Sequence, residues 1–474
     1  MKNSKIINTR VLFLLILLLG LGLRIVSILN SSTIEIDGTV YASLGEKVAK
    51  GSFREVLKGV FPPLYPFLIG CFHIFIDDLE LAGRFVSLVF GLLLIWAIFY
   101  FTKILYDEEK AVYGSCFIAI HPYLIRFSGQ VLSESVATFF FTVGILFFYN
   151  GWIRNNIKHI TLSAILISCT YLTRPEFIIY FIPLSFFLLV KKRFLSAMIF
   201  FIFFLAFAFP YIYYMRIETG IWIISKKALL MKEVTHDLSN YRFYLIATNS
   251  LSFFLKNIPS VIYYFFDALF LPFLIIGIAG FKNVQHSYKL LSGILIVTHI
   301  MSISLVTSSS RRFSIEFVPL MSFFIVEGIY VIRNFIAKYS VNRKLFWIFI
   351  MLIFFISFIQ SYVPANKGRL LNKKAGLFLL SIDPGKKIAS RLPFVSFYSK
   401  GEWVNIYREI SKIKNCEELS LSFKKNNIEY FIVDEKMYRE NELLRGNCLL
   451  NFTLVKEFTE QREFVNIYRI NKNE

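Results

Sequence analysis

Long apolar runs alternate with short polar connections from residue 11 to about residue 363. Many of these runs approach the roughly 20 residues that one helix needs to cross a ~30 Å hydrocarbon layer. Helices are expected, because lipid offers backbone N–H and C=O groups no partner outside the segment itself. We predict about eleven spans, over residues 11–30, 81–103, 111–128, 134–152, 158–173, 175–190, 194–215, 257–281, 290–308, 313–333 and 344–363.

Two connections between these spans are longer than the rest. Residues 31–80 contain a helical pattern and a proline-broken apolar stretch that begins at Phe61. We therefore expect helices that lie along the membrane interface in this first outer loop. Long loops are usually functional or disordered. We interpret residues 216–256 as a flap over a site, on the outer side of the membrane.

The last part of the chain changes character at about residue 364. Segments 393–398, 429–433, 452–455 and 464–470 have the pattern of short strands, and 402–425 has that of a helix. The predicted fold class is an all-α polytopic membrane domain over residues 1–363, followed by a small α/β domain over residues 364–474.

Composition agrees with a membrane protein. Hydrophobic residues make up 56% of the chain and the mean hydropathy is +0.59, which excludes an ordinary soluble protein. The formal net charge of +20 does not indicate nucleic acid here, because many Lys and Arg residues lie in short connections such as Lys191-Lys192-Arg193. Such connections face the cytoplasm. We predict a multi-pass plasma-membrane protein with a cytoplasmic N-terminus, and an odd number of spans then places the tail outside.

The tail contains Cys416 and Cys448, without the spacing of a zinc or redox site. An extracytoplasmic tail would allow these two residues to pair as a disulfide. Two free buried thiols are the alternative.

Two acids on the predicted outer side are candidates for chemistry. Asp37 follows the first span and Glu134 lies at the turn between the third and fourth spans. Each also suits the start of a helix, where an acid accepts backbone hydrogen bonds and meets the positive end of the dipole. The functional interpretation is a carboxylate that accepts the proton of a hydroxyl nucleophile. We expect Asp37 and Glu134 to share one cavity.

Arginines on the same side form the complementary set, namely Arg24, Arg174, Arg311 and Arg312. A guanidinium at membrane depth is costly unless it snorkels or is paired. The functional interpretation is a fork that binds a phosphate and stabilises the charge it gains on leaving. Asp267, His299 and Glu327 are predicted to be structural polar contacts. The sequence contains no P-loop, HExxH motif or dinucleotide loop.

These residues resemble those of the C-type, multi-span glycosyltransferases that use polyprenyl-phosphate sugars, in the bacterial branch related to protein O-mannosyltransferases and aminoarabinose transferases. The likeness extends over about 350 residues. It rests on Arg24 followed by Asp37 and Tyr41, on Pro62-Pro63-Leu64-Tyr65, on Ser133-Glu134, and on Arg312-Phe313 with Pro319.

The resemblance implies inverting transfer of a sugar from a polyprenyl-phosphate donor to an extracytoplasmic acceptor hydroxyl of a lipid, glycan or protein. Asp37 is then the general base, Glu134 positions the donor or acceptor, and Arg174 balances the departing phosphate, with Arg24 and Arg312 as lesser candidates. Tyr41 and Arg311 complete the predicted substrate-binding set. No cofactor is assigned. Many relatives have a second acid after the first-loop Asp, where this chain has Gly38, so a divalent cation stays open.

Other functions remain open at this point. A lipid-linked sugar flippase needs no carboxylate at Asp37 and is expected to show two related halves, which the sequence lacks. A polysaccharide polymerase or ligase is distinguished by a large outer loop rich in Arg and His, of which residues 216–256 hold only a sparse version. A structural scaffold gives no reason for acids and arginines to gather on one face.

Overall fold

The structure is a computed structural model that describes residues 9–227, 250–306, 310–339, 344–363, 367–410, 413 and 415–470. It divides into two compact units. The boundary between them lies at Val363/Pro364, except that a short segment near the start of the chain, Leu29–Ser43, belongs to the second unit. The membrane unit contains the described residues up to Ile28 and Leu44–Val363. The tail unit contains Leu29–Ser43 together with the described residues of Pro364–Glu474.

In its described residues the membrane unit is built from helices and the connections between them. Residues 36–43 of its second helix belong to the tail unit. Its helices are α1 Thr9–Leu29, α2 Ile36–Ala49, α3 Phe53–Leu57, α4 Leu64–His73, α5 Leu79–Leu105, α6 Glu108–Ile120, α7 Pro122–Ser128, α8 Glu134–Ile153, α9 Ile157–Thr173, α10 Phe181–Val190, α11 Phe194–Thr219, α12 Ser250–Ala268, α13 Leu271–Gly280, α14 His286–Val306, α15 Ser322–Tyr339 and α16 Lys344–Ser361. Short 3-10 segments cover Pro175–Tyr180, Arg311–Phe313 and Ile315–Met321.

Among the described residues, seven helices are long and apolar enough to cross a membrane, and the pair α12 and α13, bent by 90°, would make eight. The predicted count of eleven is therefore not confirmed. The described residues of the predicted spans are mostly helical, but Pro122 separates α6 from α7, while Ile157–Thr173 and Pro175–Val190 are shorter than a full span. The first outer loop does contain helices, as predicted. Residues 228–249 of the predicted flap lie outside the described residues.

Small residues allow close helix contacts in the membrane unit. Gly280 of α13 and Gly328 of α15 face each other, and a Cβ atom at either position would overlap with backbone atoms of the other helix. Such glycines let two backbones approach closely, which is how helices associate where lipid removes the hydrophobic driving force. Around these contacts a continuous apolar core joins α1, α5, α6, α8, α9 and the later helices.

The tail unit is α/β. Its elements beyond the membrane unit are the 3-10 segments Lys367–Arg369 and Asn447–Asn451, the helices α17 Leu370–Ile382, α18 Phe394–Tyr398, α19 Tyr407–Ile410, α20 Cys416–Lys425, α21 Glu435–Glu440 and α22 Glu442–Arg445, and the strands β1 Lys387–Ser390, β2 Glu402–Asn405, β3 Tyr430–Asp434, β4 Thr453–Glu460 and β5 Glu463–Arg469. The sheet order is β2-β1-β3-β5-β4, with β1 parallel to β2 and β3, and β5 antiparallel to β3 and β4.

The predicted α/β class of the tail is confirmed, with corrections to its elements. The strands predicted near 429–433, 452–455 and 464–470 are β3, β4 and β5. The strand predicted over 393–398 is wrong, because Pro393 begins the short helix α18. The single helix predicted over 402–425 is wrong in its first part, since its first four residues pair with β1 as β2; helix is found in α19 and α20. Cys416 and Cys448 form a disulfide with Cα atoms 5.0 Å apart, which decides between the two alternatives for these thiols.

Candidate active site

Glu134 is the first residue of α8 and is fully buried. Its Oε1 atom lies 2.9 Å from Nη1 of Arg174 and also contacts Nε of Arg312. Its other carboxylate oxygen has no hydrogen-bond partner among the described residues. An acid at a helix N-terminus is stabilised by the dipole, but here the two guanidinium groups account for most of its neutralisation.

Arg174 is the central cation of this network. Pro175 follows it and disfavours helical backbone at the preceding residue, so Arg174 is extended, with φ −141° and ψ 115°, and α9 ends. The guanidinium contacts three carboxylates, those of Glu134, Glu176 at 2.7 Å and Glu316 at 3.3 Å. The side chain is only 4% exposed. Arg174 is therefore an internal counter-ion for buried acids.

Arg312 is a partly exposed cation of the same network. Its side chain is 33% exposed, although it reaches the fully buried carboxylate of Glu134. On the other side of Arg174, the ammonium group of Lys227 lies 3.9 Å from Glu176. The three acids and the three cations balance in formal charge. Arg312 and Lys227 are thus partly exposed to solvent, whereas Arg174 is almost completely buried.

The network lies at one end of the membrane unit. It joins the first residue of α8, the residue after α9, and the 3-10 segments that precede α15. The ends of several helices thus converge there. Helix ends are the places where a membrane fold can present charged groups to water. This end also holds Arg311, whose Nε lies 2.9 Å from Asp267 and whose guanidinium lies 4.4 Å above the ring of Tyr123.

The ionisable groups predicted to be structural have internal partners. Asp267 pairs with Arg311, and Glu327 pairs with Lys110 at 2.5 Å. His299 is buried between Tyr180 and Ser314, with 3.0 Å hydrogen bonds at both ring nitrogens. These contacts agree with the prediction that the three residues are structural.

Arg24 has different surroundings from the other predicted phosphate ligands. It is fully buried in α1 and donates to the carbonyl oxygens of Gly20, Ile118 and Ala119 at 3.1–3.3 Å. The Ile118 carbonyl would normally accept from residue 122 in a continuing helix, but Pro122 has no N–H. Arg24 therefore satisfies carbonyls that the break between α6 and α7 leaves open, and its predicted part in phosphate binding stays a prediction.

Asp37 and Tyr41 lie in the tail unit, at the start of α2. Asp37 is in the first turn of this helix, as its structural interpretation predicts, and Tyr41 is 3% exposed. Asp37 and Glu134 belong to different units, so their predicted shared cavity stays a prediction. In the tail unit, Asp37 and Glu35 act electrostatically on Arg369.

Four charged residues of these networks were not among the predicted site residues, namely Glu176, Glu316, Lys227 and Arg369. Glu176 directly follows the Arg174-Pro175 pair, and Glu316 lies four residues after Arg312 at the start of an apolar segment. Charges at such positions are signals that could have been used. Arg369 follows the last span without a distinguishing pattern. Within the described residues, no group of three or more His, Cys, Asp or Glu side chains is arranged to hold a metal ion.

Comparison with known proteins places this geometry in a wider context. The family described as dolichyl-phosphate-mannose-protein mannosyltransferase matches residues 61–214. A search of curated proteins found no match.

Solved structures with the same fold extend this likeness to nearly the whole chain. ArnT from Cupriavidus metallidurans bound to undecaprenyl phosphate has a TM-score of 0.65 at 11% identity, over 96% of this chain and 97% of that one. The apo state of ArnT gives a TM-score of 0.64 at the same identity and coverage. The Archaeoglobus fulgidus oligosaccharyltransferase in complex with Zn and sulfate gives 0.60 at 14% identity, over 97% of this chain and 73% of that chain.

The resemblance predicted from the sequence is thus confirmed. The family match over residues 61–214 indicates a glycosyltransferase, and the solved structures show the same fold over nearly the whole chain. The chain is similar to the dolichyl-phosphate-mannose-protein mannosyltransferases and has the fold of ArnT.

Proposed function

We propose that this protein transfers a sugar from a polyprenyl-phosphate donor to a hydroxyl group of a cell-envelope lipid, glycan or protein outside the plasma membrane. The observation that carries the proposal is the charge network of Glu134, Arg174 and Arg312 at one end of the membrane unit, where Arg312 is partly exposed. A partly exposed guanidinium beside a lipid-embedded fold suits the phosphate of a lipid carrier. The undecaprenyl phosphate bound to ArnT, which has this fold, supports the same donor class.

Asp37 is the proposed general base. The acceptor oxygen attacks the anomeric carbon from the face opposite the carrier phosphate, and Asp37 accepts the proton of that hydroxyl. The bond between the anomeric carbon and the phosphate oxygen breaks, and its electron pair leaves with the polyprenyl phosphate. Attack from the opposite face inverts the anomeric configuration. A positioned base contributes about 10²–10⁴ in rate.

Arg312 is the proposed partner of the leaving phosphate. The phosphate gains one negative charge as the bond breaks, and a preorganised cation stabilises that charge more in a water-poor site than in bulk water. The contacts favour Arg312 over Arg174 for this role, since Arg174 is enclosed by three carboxylates. Arg174 instead holds Glu134, and Glu134 holds Arg312.

The disulfide supports the proposed sidedness. Cys416 and Cys448 are bonded in the tail unit, and disulfides persist in oxidising compartments and are rare in the cytosol. The disulfide thus supports an extracytoplasmic tail, and with an odd number of spans the N-terminus is then cytoplasmic. Alkylation of a single cysteine introduced at Lys400, an exposed position, is expected to occur in intact cells.

The proposed function is tested in cells that lack the protein, where the polyprenyl-phosphate sugar donor should accumulate. Mass spectrometry of envelope glycolipids, glycans and glycoproteins is expected to show the loss of one sugar increment in cells without this protein, with accumulation of a polyprenyl-phosphate sugar. The purified full chain, given that lipid extract and acceptor from the same cells, should restore the increment and release polyprenyl phosphate. Loss in cells without any transfer by the purified chain would indicate a flippase instead.

A further inference from the structure

The segment that carries Asp37 is built into the tail unit. Leu29–Ser43 belongs to this unit, although the rest of the tail unit follows in sequence only after Val363. The backbone N–H of Ile34 donates to the phenolic oxygen of Tyr398 at 3.0 Å, and both groups are buried. The tail unit is therefore a structural support for the first outer loop as well as a separate α/β fold.

Two cations and two aromatic rings pack together beside this hydrogen bond. The guanidinium of Arg369 lies 5.1 Å from the ring centre of Phe394, and the ammonium of Lys373 lies 4.9 Å from that of Tyr398. The two cations are four residues apart along the chain, and so are the two rings. Arg369 and Lys373 lie at the start of α17, and both rings lie in α18, so these two elements align the pairs. Cation–π contact holds each charge over a ring that is itself fixed by packing.

Arg369 stands among charged groups from several elements. Glu35 and Asp37 of the first loop attract it, whereas Arg391 after β1 repels it. Arg391 is itself paired with Asp434 at the end of β3, at 2.6 Å. Glu463 at the start of β5 lies beside the neighbouring Gly368. Burial lowers the pKa of Arg369, and the acids of the first loop oppose that effect.

A half-buried guanidinium held on a ring, next to a loop that carries two acids, is placed to orient a carboxylate. We propose that Arg369 is a positioning residue for Asp37, so that the tail unit completes the catalytic base. The inference rests on the proposed function, in which Asp37 accepts the proton of the acceptor hydroxyl. If Arg369 positions Asp37, the tail unit contributes to catalysis as well as supporting the first outer loop.

The test separates charge, packing and donor binding. Arg369→Met keeps a long apolar side chain over Phe394 and removes the charge, Arg369→Lys keeps a charge, and Lys373→Met is the matched control on the neighbouring ring. Each full-length variant is expressed in cells lacking the protein, and the sugar increment is measured by mass spectrometry. Purified variants are also tested for binding of undecaprenyl phosphate alone.

We expect Arg369→Met to lower sugar transfer at least tenfold, Arg369→Lys to recover most of the loss, and Lys373→Met to stay within about twofold of the parent protein. Binding of undecaprenyl phosphate should be unchanged in all three, with equal amounts of monodisperse protein. Normal transfer by Arg369→Met would overturn the inference. Transfer and undecaprenyl phosphate binding lost together would also overturn it, because Arg369 would then be a phosphate ligand.

The Asp37→Asn variant in the same cells separates this inference from the function on which it rests. If Asp37→Asn is inactive and Arg369→Met is active, only the positioning role fails. If Asp37→Asn remains active, the base assignment fails and the positioning role fails with it.

Discussion

Two regions of the membrane unit bury an arginine, and they neutralise it in opposite ways. Around Arg24 the partners are carbonyl oxygens of Gly20, Ile118 and Ala119, which carry no net charge. Around Arg174 the partners are the carboxylates of Glu134, Glu176 and Glu316. Both guanidinium groups are almost completely buried, at 0% and 4% exposed.

Arg24 and Arg174 therefore differ in role: Arg24 satisfies backbone carbonyls of the fold, whereas Arg174 neutralises and positions acidic side chains. The carbonyl partners of Arg24 include one that the break at Pro122 leaves open, so its charge serves backbone hydrogen bonding. Arg174 instead keeps several acids in place next to the partly exposed Arg312. A buried charged residue in a membrane protein is by default a candidate for a functional site. The groups that contact it distinguish a residue that serves the fold from one that belongs to a site.

The largest expected effect comes from Arg174→Met. Removal of this cation leaves three carboxylates without their shared partner, and two of them, Glu134 and Glu316, are fully buried, so the change should cost about 3–5 kcal/mol in folding free energy. We expect a large loss of monodisperse protein in a thermal-unfolding series monitored by size-exclusion chromatography. Stability equal to that of the parent protein would show that the acids do not depend on Arg174.

Arg312→Gln should act on transfer rather than on folding. Glu134 keeps Arg174 as a partner, so stability should change little, whereas loss of the accessible cation should lower transfer about 10²–10³-fold. The matched control is Arg311→Gln, which removes the neighbouring cation paired with Asp267 and should cost less. Equal losses from the two substitutions would contradict a special role for Arg312.

Arg24→Met should show the reverse pattern. The buried carbonyls of Ile118 and Ala119 lose a donor, which should cost about 1–3 kcal/mol in stability. The protein that remains folded should bind undecaprenyl phosphate normally and retain transfer. A strong loss of undecaprenyl phosphate binding at unchanged stability would return Arg24 to the phosphate site predicted from the sequence.

The smallest effect is expected from Glu316→Gln. Neither carboxylate oxygen of Glu316 has a hydrogen-bond partner among the described residues, and the substitution removes one of three like charges around Arg174. We expect a change in unfolding free energy within about 1 kcal/mol. Glu134→Gln, which removes the contact shared by two guanidinium groups, should destabilise more in the same measurement. The opposite order would show that Glu316 is the principal counter-ion of Arg174.

The sequence predicted the helical and α/β divisions because each depends on local periodicity. Apolar runs of about 20 residues indicated helices, and alternation near residues 429–433 indicated β3. The span count depended on breaks that periodicity does not reveal, such as Pro122, which ends α6 within one apolar run. The helix at 394–398 was missed because Pro393 and aromatic residues also fit a strand.

Site residues were predictable where charge interrupted an apolar pattern. Glu134, Arg174 and Arg312 were chosen because each lies at a turn on the predicted outer side, between apolar spans, and the structure brings these three together. Their pairing was not predictable, because it joins residues 134, 174 and 312 across separate helices. Arg369 was missed for the same reason, since its relation to the first loop comes from tertiary structure alone.

Whether Asp37 is the general base is decided by sugar transfer with the Asp37→Asn variant in cells that otherwise lack the protein. The substitution keeps the size of the side chain and its place in the first turn of α2, while it removes the proton acceptor. We expect Asp37→Asn to be present in the membrane in normal amounts and to transfer the sugar about 10²-fold more slowly or worse than the parent protein. Transfer close to that of the parent protein would contradict Asp37 as the base.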